Sequence, residues 1–290
     1  MKKLMIITDT NSGIMQAEAK ELGIETVAMP FNIDGVEYLE GIDLGAEEFY
    51  AKLVANADIK TSQPSRLYLE EMWDRILKEY EEILYIPTSS GLSGTCDNAK
   101  VYAENYNGKV YVVDNHRISV NLKESVFYAI ELAKQGKTPA QIKEILESTS
   151  SKHISYLVVN DLKYLKRGGR ISPAVAVIGT MLNVKPILYT RGDTFEKSAS
   201  VLSFAQAKKK MIQKIKYHLE NEWKEDYENG HMVISVAHAQ NKAEALKYKE
   251  EILREIPNIK VRFVDDVSLS VACHVGIGIL AISVSYNDTY

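Results

Sequence analysis

The chain has only two cysteines, Cys96 and Cys273, with no C-x-x-C pair and no cluster of His and Cys. No disulfide framework or zinc site is indicated, and a reducing compartment fits. A basic surplus is also missing. The 35 Lys and Arg against 39 Asp and Glu leave a net charge of -4, so nothing draws a nucleic-acid backbone. The lysine-rich stretch from Lys208 to Lys216 reads as the solvated face of a helix. Long apolar runs are absent as well. Near the start only Leu4 to Ile7 are apolar before Asp9, too short for a signal-peptide core. The most apolar stretch, VACHVGIGILAISV from Val271 to Val284, contains His274 and falls short of the roughly 18 residues of a membrane span. The expected location is the cytoplasm.

What is present is an ordinary globular composition, 46% hydrophobic and 26% charged, in 290 residues, more than one core usually holds. Two domains are expected, 1–150 and 151–290, divided near Ser148 to Ser151. In the first half, strands are predicted over Leu4 to Ile7, Thr26 to Ile33, Ile83 to Ile86 and Val110 to Val113. Leu69, Met72, Trp73, Ile76, Leu77 and Tyr80 share one helical face, and Val126, Ile130 and Ala133 mark another helix. Alternating strands and helices imply an α/β domain of three layers, a parallel sheet covered on both faces.

The second half differs. A small-residue helix is predicted from Pro173 to Met181. Then come a hairpin of Pro186 to Tyr189 and Thr194 to Ser200, and a long helix from Phe204 to about Tyr227. Strand His231 to Ala237, helix Lys242 to Arg254, strand Ile259 to Val264 and the final glycine-bearing run complete it. This pattern predicts a two-layer α/β domain with a mixed sheet.

In an open parallel sheet, ligands bind beyond the carboxyl ends of the strands. Three predicted strands end in polar residues: TDTNS from Thr8, TSSGLSGT from Thr88 to Thr95, and DNHR from Asp114. Capping is the ordinary explanation for any one of them; three converging ends ask for more. TSSGLSGT is not a P-loop, since Cys96 stands five residues beyond Gly91 and no Lys follows. Nor is it a nucleophile elbow, because Gly91-Leu92-Ser93-Gly94-Thr95 ends in Thr rather than Gly. It reads as a cradle of neutral donors for an anion at the start of a helix, Asp97 to Tyr106. A second hydroxyl cluster, TSQPS from Thr61 to Ser65, opens the Leu69 helix, with Pro64 in its first turn. Capping explains Ser62 or Ser65 but does not require Thr61.

Gly276-Ile277-Gly278-Ile279-Leu280-Ala281 matches G-x-G-x-x-A but lacks the βαβ unit and distal acid of a dinucleotide site. His274, just before it, is embedded in small apolar residues, where a satisfied core histidine is the ordinary reading. His231 and His238 flank a strand with no third ligand in view, so no metal is assigned.

TDTNS, TSQPS, SSGLSGT, LKYLKRGGRIS, LNVKPIL and HVGIG occur in an order and spacing that resemble the DegV family, the fatty-acid-binding subunits of bacterial fatty acid kinase. The resemblance spans nearly the whole chain. It implies an N-terminal α/β domain, a C-terminal domain with a mixed six-stranded sheet, and a bound long-chain fatty acid as ligand, without a cofactor. The carboxylate partners it implies are Thr61, Ser62, Ser93, Gly94 and His274. It also implies a separate kinase subunit that turns the bound acid into an acyl phosphate, and it leaves room for transient contact with a membrane surface.

Candidate tunnel residues are Ile171, Ala174, Val175, Ile178, Met181, Leu182, Ile277, Ile279 and Leu280, each equally explicable as core. Gly168 and Gly169 fit a helix end, with Lys166 and Arg167 on its dipole. Arg170 lies beyond that end and is the candidate for kinase docking. Two positions depart from the family pattern: Ile277 stands where Pro is common, and Lys197 to Val201 lacks an Arg often found there. The alternative reading is a serine hydrolase with Ser93 as nucleophile, His274 as base and Asp9 or Asp114 as orienter.

Overall fold

The computed structural model describes residues 2–176 and 184–290, which form two compact units. One comprises Met1–Ser151 with Ser268–Ser270; the other comprises Lys152–Val267 with Val271–Tyr290. Among the described residues no helix is long and apolar enough to cross a membrane.

The first unit holds strands β1 (Lys2–Asp9), β2 (Glu25–Val27), β3 (Pro30–Ile33), β4 (Val36–Leu39), β5 (Ile59–Thr61), β6 (Tyr80–Ile86) and β7 (Val110–Val112). Its helices are α1 (Gln16–Leu22), α2 (Ala46–Val54), α3 (Arg66–Ile76), α4 (Thr95–Ala103), α5 (Ser119–Lys134) and α6 (Pro139–Ser148). A parallel sheet runs β2-β1-β6-β7, so the carboxyl ends of β1, β6 and β7 share one edge. Strand alternation divides its apolar residues between two faces. Met5, Ile7, Ile83, Tyr85, Val110 and Val112 pack on Leu69, Met72, Trp73 and Ile76 of α3 and on Cys96 and Ala99 of α4. Ile6, Leu84 and Ile86 are buried on the other face, and α5 and α6 also pack on the sheet.

Several boundaries differ from the sequence expectation. Thr26 to Ile33 is not one strand: β2 joins the parallel sheet, whereas β3 joins a separate antiparallel sheet, β4-β3-β5. The break falls before Pro30, which brings no amide donor. The Leu69 helix stops at Ile76, and Tyr80 opens β6 instead. Pro64 also lies outside this helix, because Ser65 is the N-cap and its Oγ accepts from the Tyr68 amide at 3.2 Å.

The second unit holds strands β8 (His153–Val158), β9 (Lys185–Thr190), β10 (Glu196–Val201), β11 (Met232–His238), β12 (Lys260–Asp266) and β13 (Leu280–Tyr286). Its helical segments are α7 (Lys163–Gly168), α8 (Pro173–Ala176), α9 (Phe204–Tyr217), α10 (Lys224–Glu228), α11 (Lys242–Glu255) and α12 (Leu269–Val275), whose first two residues count with the first unit. The mixed six-stranded sheet runs β10-β9-β8-β13-β11-β12, with only β11 and β12 parallel. Ile154, Tyr156, Val158, Ile234, Val236, Leu280 and Ile282 pack beneath Met211 and Ile215 of α9 and Tyr248 and Ile252 of α11.

The expected long helix to Tyr227 is interrupted by a π-helical turn at His218–Glu222, where Arg191 grips Glu222 through two hydrogen bonds of 2.7 and 2.6 Å. Lys208 is not on a solvated face. It is buried, and its Nζ donates to Glu244 and Glu251 of α11, each at 2.6 Å.

Candidate functional site

The hydroxyl loop starts where β6 ends. Thr88 donates from its amide to Asp9 Oδ2 at 2.7 Å and from its hydroxyl to Asp9 Oδ1 at 2.9 Å, so the first residue of the loop is tied to the end of the neighbouring strand. The Ser89 amide donates to the Arg117 carbonyl at 3.0 Å, while the Leu92 and Ser93 amides fold back on the Ser89 carbonyl at 3.1 Å each. That tight turn delivers Ser93 and Gly94 to the start of α4. The Ser93 hydroxyl lies 2.9 Å from that of Thr95 and accepts from the Thr95 amide at 3.3 Å. Gly94 is exposed and sits at the N-cap of α4, where it makes no side-chain cap.

The TSQPS loop meets this turn inside the same unit. Thr61 is the last residue of β5, and the Ser62 amide donates to the Pro30 carbonyl at 3.1 Å. Gln63 then accepts from Asn98 Nδ2 of α4 at 2.8 Å. A Cβ on Gly94 would stand 3.0 Å from Gln63 Oε1, so the two loops pass in contact at that point. Thr61 and Ser93 are half-buried, and Ser62 and Gly94 are exposed. Four of the five implied carboxylate partners thus lie on two adjoining loops. Gln63, not singled out by the sequence, joins them; its one sequence signal was membership of TSQPS.

The fifth, His274, belongs to α12 and the second unit. A Cβ on Gly168 would overlap its Nδ1, so the backbone of α7 carries glycine at that close approach. Gly169 follows as the left-handed cap of α7 at φ 65°, with Lys166 and Arg167 in the last turn. Arg170 Nη1 turns back to donate to the Gly168 carbonyl at 2.6 Å. Gly276, at φ 80°, lies against the Tyr164 ring, and the Ile277 and Gly278 carbonyls accept from Asn160 and Asn241, each at 3.3 Å. KRGGR and HVGIG therefore form one interlocked structure.

Burial, then the fields of Arg170 and Arg167, push the His274 pKa down to about 4 from its usual 6.5. The imidazole is neutral at pH 7, so it presents one N–H donor and one acceptor nitrogen rather than a fixed cation. Below pH 6.5 the unfolded chain takes up a proton that the folded chain refuses down to about 4, so stability falls as pH drops through that window. His274→Asn should remove about 2 kcal/mol of the stability lost between pH 7 and 5, measured by urea unfolding. Equal pH slopes in both proteins would contradict this.

Other candidates are placed as follows. Ile171, Val175 and Ile279 are buried, Ala174 is exposed and Ile277 is half-buried. Leu280 belongs to the core beneath α9 and α11. Ile178, Met181 and Leu182 lie outside the described residues, as does the far end of the helix predicted to Met181. Among the described residues, Ser93 Oγ has Thr95 as its hydrogen-bond partner and no base. Asp9 is engaged by Thr88 and Asn11, and Asp114 by Lys100 and the Ser90 amide. No group of three or more His, Cys, Asp or Glu among the described residues is placed to hold a metal ion.

A buried polar network beneath the hydroxyl loop joins residues of TDTNS and TSSGLSGT to Glu40, Ser268 and Ser270, which carried no sequence signal. Asp9, Thr10, Asn11, Glu40, Thr88, Ser268 and Ser270 are all buried, though far apart in sequence. Burial raises the pKa of Asp9 to about 6 and that of Glu40 to about 7, against the hydrogen bonds that lower them.

The family model described as "Uncharacterised protein, DegV family" matches residues 3–287. A DegV domain-containing protein of Clostridium perfringens is 31% identical over 291 residues, covering 97% of each chain. The solved structure of DegV from Bacillus subtilis, described as a fatty acid binding protein, is 27% identical with a TM-score of 0.83 and covers 99% of this chain and 100% of that one. A DegV family protein from Thermus thermophilus, whose structure is described by its fatty acid binding, has a TM-score of 0.87 at 24% identity, covering 98% and 99% of the two chains.

Proposed function

The chain belongs to the DegV family, and on that basis we propose that it binds one long-chain fatty acid and presents its carboxylate to a separate kinase in the cytoplasm. The observation that carries the reading is the meeting of TSQPS and LSGT through Gln63, which gathers hydroxyl and amide donors with no cation or carboxylate among them. The B. subtilis structure supports the ligand class. In this reading Thr61, Ser62, Ser93 and Gly94 hold the carboxylate, and neutral His274 donates the remaining hydrogen bond.

Neutral donors suit a carboxylate that must still attack a phosphoryl group. A bidentate arginine would engage both oxygens and lower their nucleophilicity. Hydrogen bonds from neutral donors to a charged acceptor, each worth about 1.5–3 kcal/mol, hold it while leaving electron density available. Most of the affinity comes from the tail: about 15 buried methylenes at about 0.8 kcal/mol each supply up to about 12 kcal/mol before ordering costs. Ile171, Val175, Ile277 and Ile279, together with the implied Ile178, Met181 and Leu182, are assigned to it. Titration of the delipidated protein with a long-chain fatty acid should saturate at one per chain; no saturable binding would overturn the reading.

Kinase coupling is assigned to Arg170. Arg170→Glu should cut acyl phosphate formation about tenfold or more, through lost charge complementarity, with the lipid still bound. An unchanged rate with the kinase subunit would remove Arg170 from that surface. Brief contact with a membrane surface, for exchange of the acid, completes the proposed cycle.

A further inference from the structure

The buried network under the hydroxyl loop is short of one proton. Thr10 Oγ1 accepts from the Met29 amide at 3.1 Å, so its own proton points to Glu40 Oε2 at 2.8 Å. Ser270 Oγ lies 2.7 Å from Glu40 Oε2 and 2.6 Å from Asn11 Oδ1, and the Leu269 amide donates to Glu40 Oε1. From the other side of Asn11, Nδ2 donates to Thr88 Oγ1 at 2.9 Å, and Thr88 donates to Asp9 Oδ1 at 2.9 Å. A serine hydroxyl has one proton, yet Ser270 faces two acceptors.

Turning the Asn11 amide over does not cure the shortage. Its NH2 would then serve Ser270, which could donate to Glu40, but Thr88 would face the Asn11 oxygen and Asp9 with a single proton of its own. In either orientation one short contact needs another proton, and the carboxyls of Glu40 and Asp9 are the groups able to carry it. Among the described residues no charged side chain hydrogen-bonds or ion-pairs with either. The titratable group facing Asp9 is Tyr85 on β6, kept neutral by burial and by Asp9 itself. Two buried, unpaired carboxylates would be costly, and one proton removes half of that charge.

We propose that Asp9 and Glu40 keep one proton between them at neutral pH, and that this pair is a positioning device that holds Thr88, at the head of the hydroxyl loop, against Ser268–Ser270. Protonated, the network is a closed run of satisfied hydrogen bonds from Glu40 to Asp9. Deprotonated, it sets two acceptors face to face and loosens the turn that delivers Ser93 and Gly94. Burial raises the pKa of both groups, which agrees with this account. The consequence for lipid rests on the proposed fatty-acid site; the proton does not.

Infrared spectroscopy reads the proton whether or not lipid binds. The wild-type protein at pH 7 should show a protonated-carboxyl stretch that shifts in D2O, bleaches as the pH is raised to 9, and is lost in Glu40→Gln or in Asp9→Asn. Absence of the band from wild type, or its persistence in both variants, would overturn the proposal. For the positioning role, Glu40→Ala should weaken fatty-acid binding about tenfold, and Glu40→Gln, which replaces an O–H donor by an N–H donor, should restore it to within about threefold. Gln binding no better than Ala would overturn that role even with the proton in place.

Discussion

Gly276→Ala should destabilise the protein by about 3 kcal/mol. Two penalties act together. At φ 80° an L side chain occupies the left-handed region, costing about 1–2 kcal/mol. The new Cβ would also overlap the Cδ2–Cε2 edge of the Tyr164 ring, and overpacking of that kind costs about 1–3 kcal/mol. Tyr164 lies on α7, which also carries Gly168 against the His274 imidazole. Urea unfolding measures the loss. A second variant, Gly276→Ala with Tyr164→Ala, should recover the packing share and leave the backbone share; a loss below about 0.5 kcal/mol in the single variant would contradict the interlocked arrangement.

Ser93→Ala should lower fatty-acid affinity about ten- to a hundredfold, the cost of one hydrogen bond to a charged acceptor. The tail contacts remain, so the loss should appear mainly as faster release. A methyl ester of the same chain length separates the carboxylate contribution from the rest. It should bind the wild-type protein more weakly than the acid, and it should not distinguish wild type from Ser93→Ala. Equal acid affinity in the two proteins would remove Ser93 from the cradle.

The sequence was most legible where local chemistry decides structure. The apolar runs of β1, β6 and β7 and the polar residues after them predicted a parallel sheet with three polar ends on one edge, as found. Gly168 and Gly169 were readable as a helix end, but the close approach of Gly168 to His274 depends on a partner about 100 residues away in the chain, which no local pattern encodes. Lys208 was misjudged because a lysine-rich helix face looks solvated until the acids of α11 are placed against it. Thr26 to Ile33 carries continuous β propensity, and only the sheet partners show that it serves two sheets.

The buried network shows the same limit most sharply. Glu40 sits in GVEYLEGID and Ser268 and Ser270 in SLS, segments with no motif to connect them, yet they meet on Thr10 and Asn11. Asp9, Thr10 and Asn11 belong to TDTNS and Thr88 to TSSGLSGT, so those two strand ends were visible while Glu40, Ser268 and Ser270 were not. The turn at Ser89 to Gly94 likewise reads as glycine-loosened from composition, whereas its ties to Asp9 and Arg117 come from neighbouring strand ends.

The central claim is that the chain carries a fatty acid, and the most direct test is to denature the purified protein, extract it with organic solvent and weigh the extract by mass spectrometry. The account predicts one long-chain fatty acid per chain, or uptake of one by protein purified empty. An empty extract from a folded protein that also takes up no added fatty acid would contradict it.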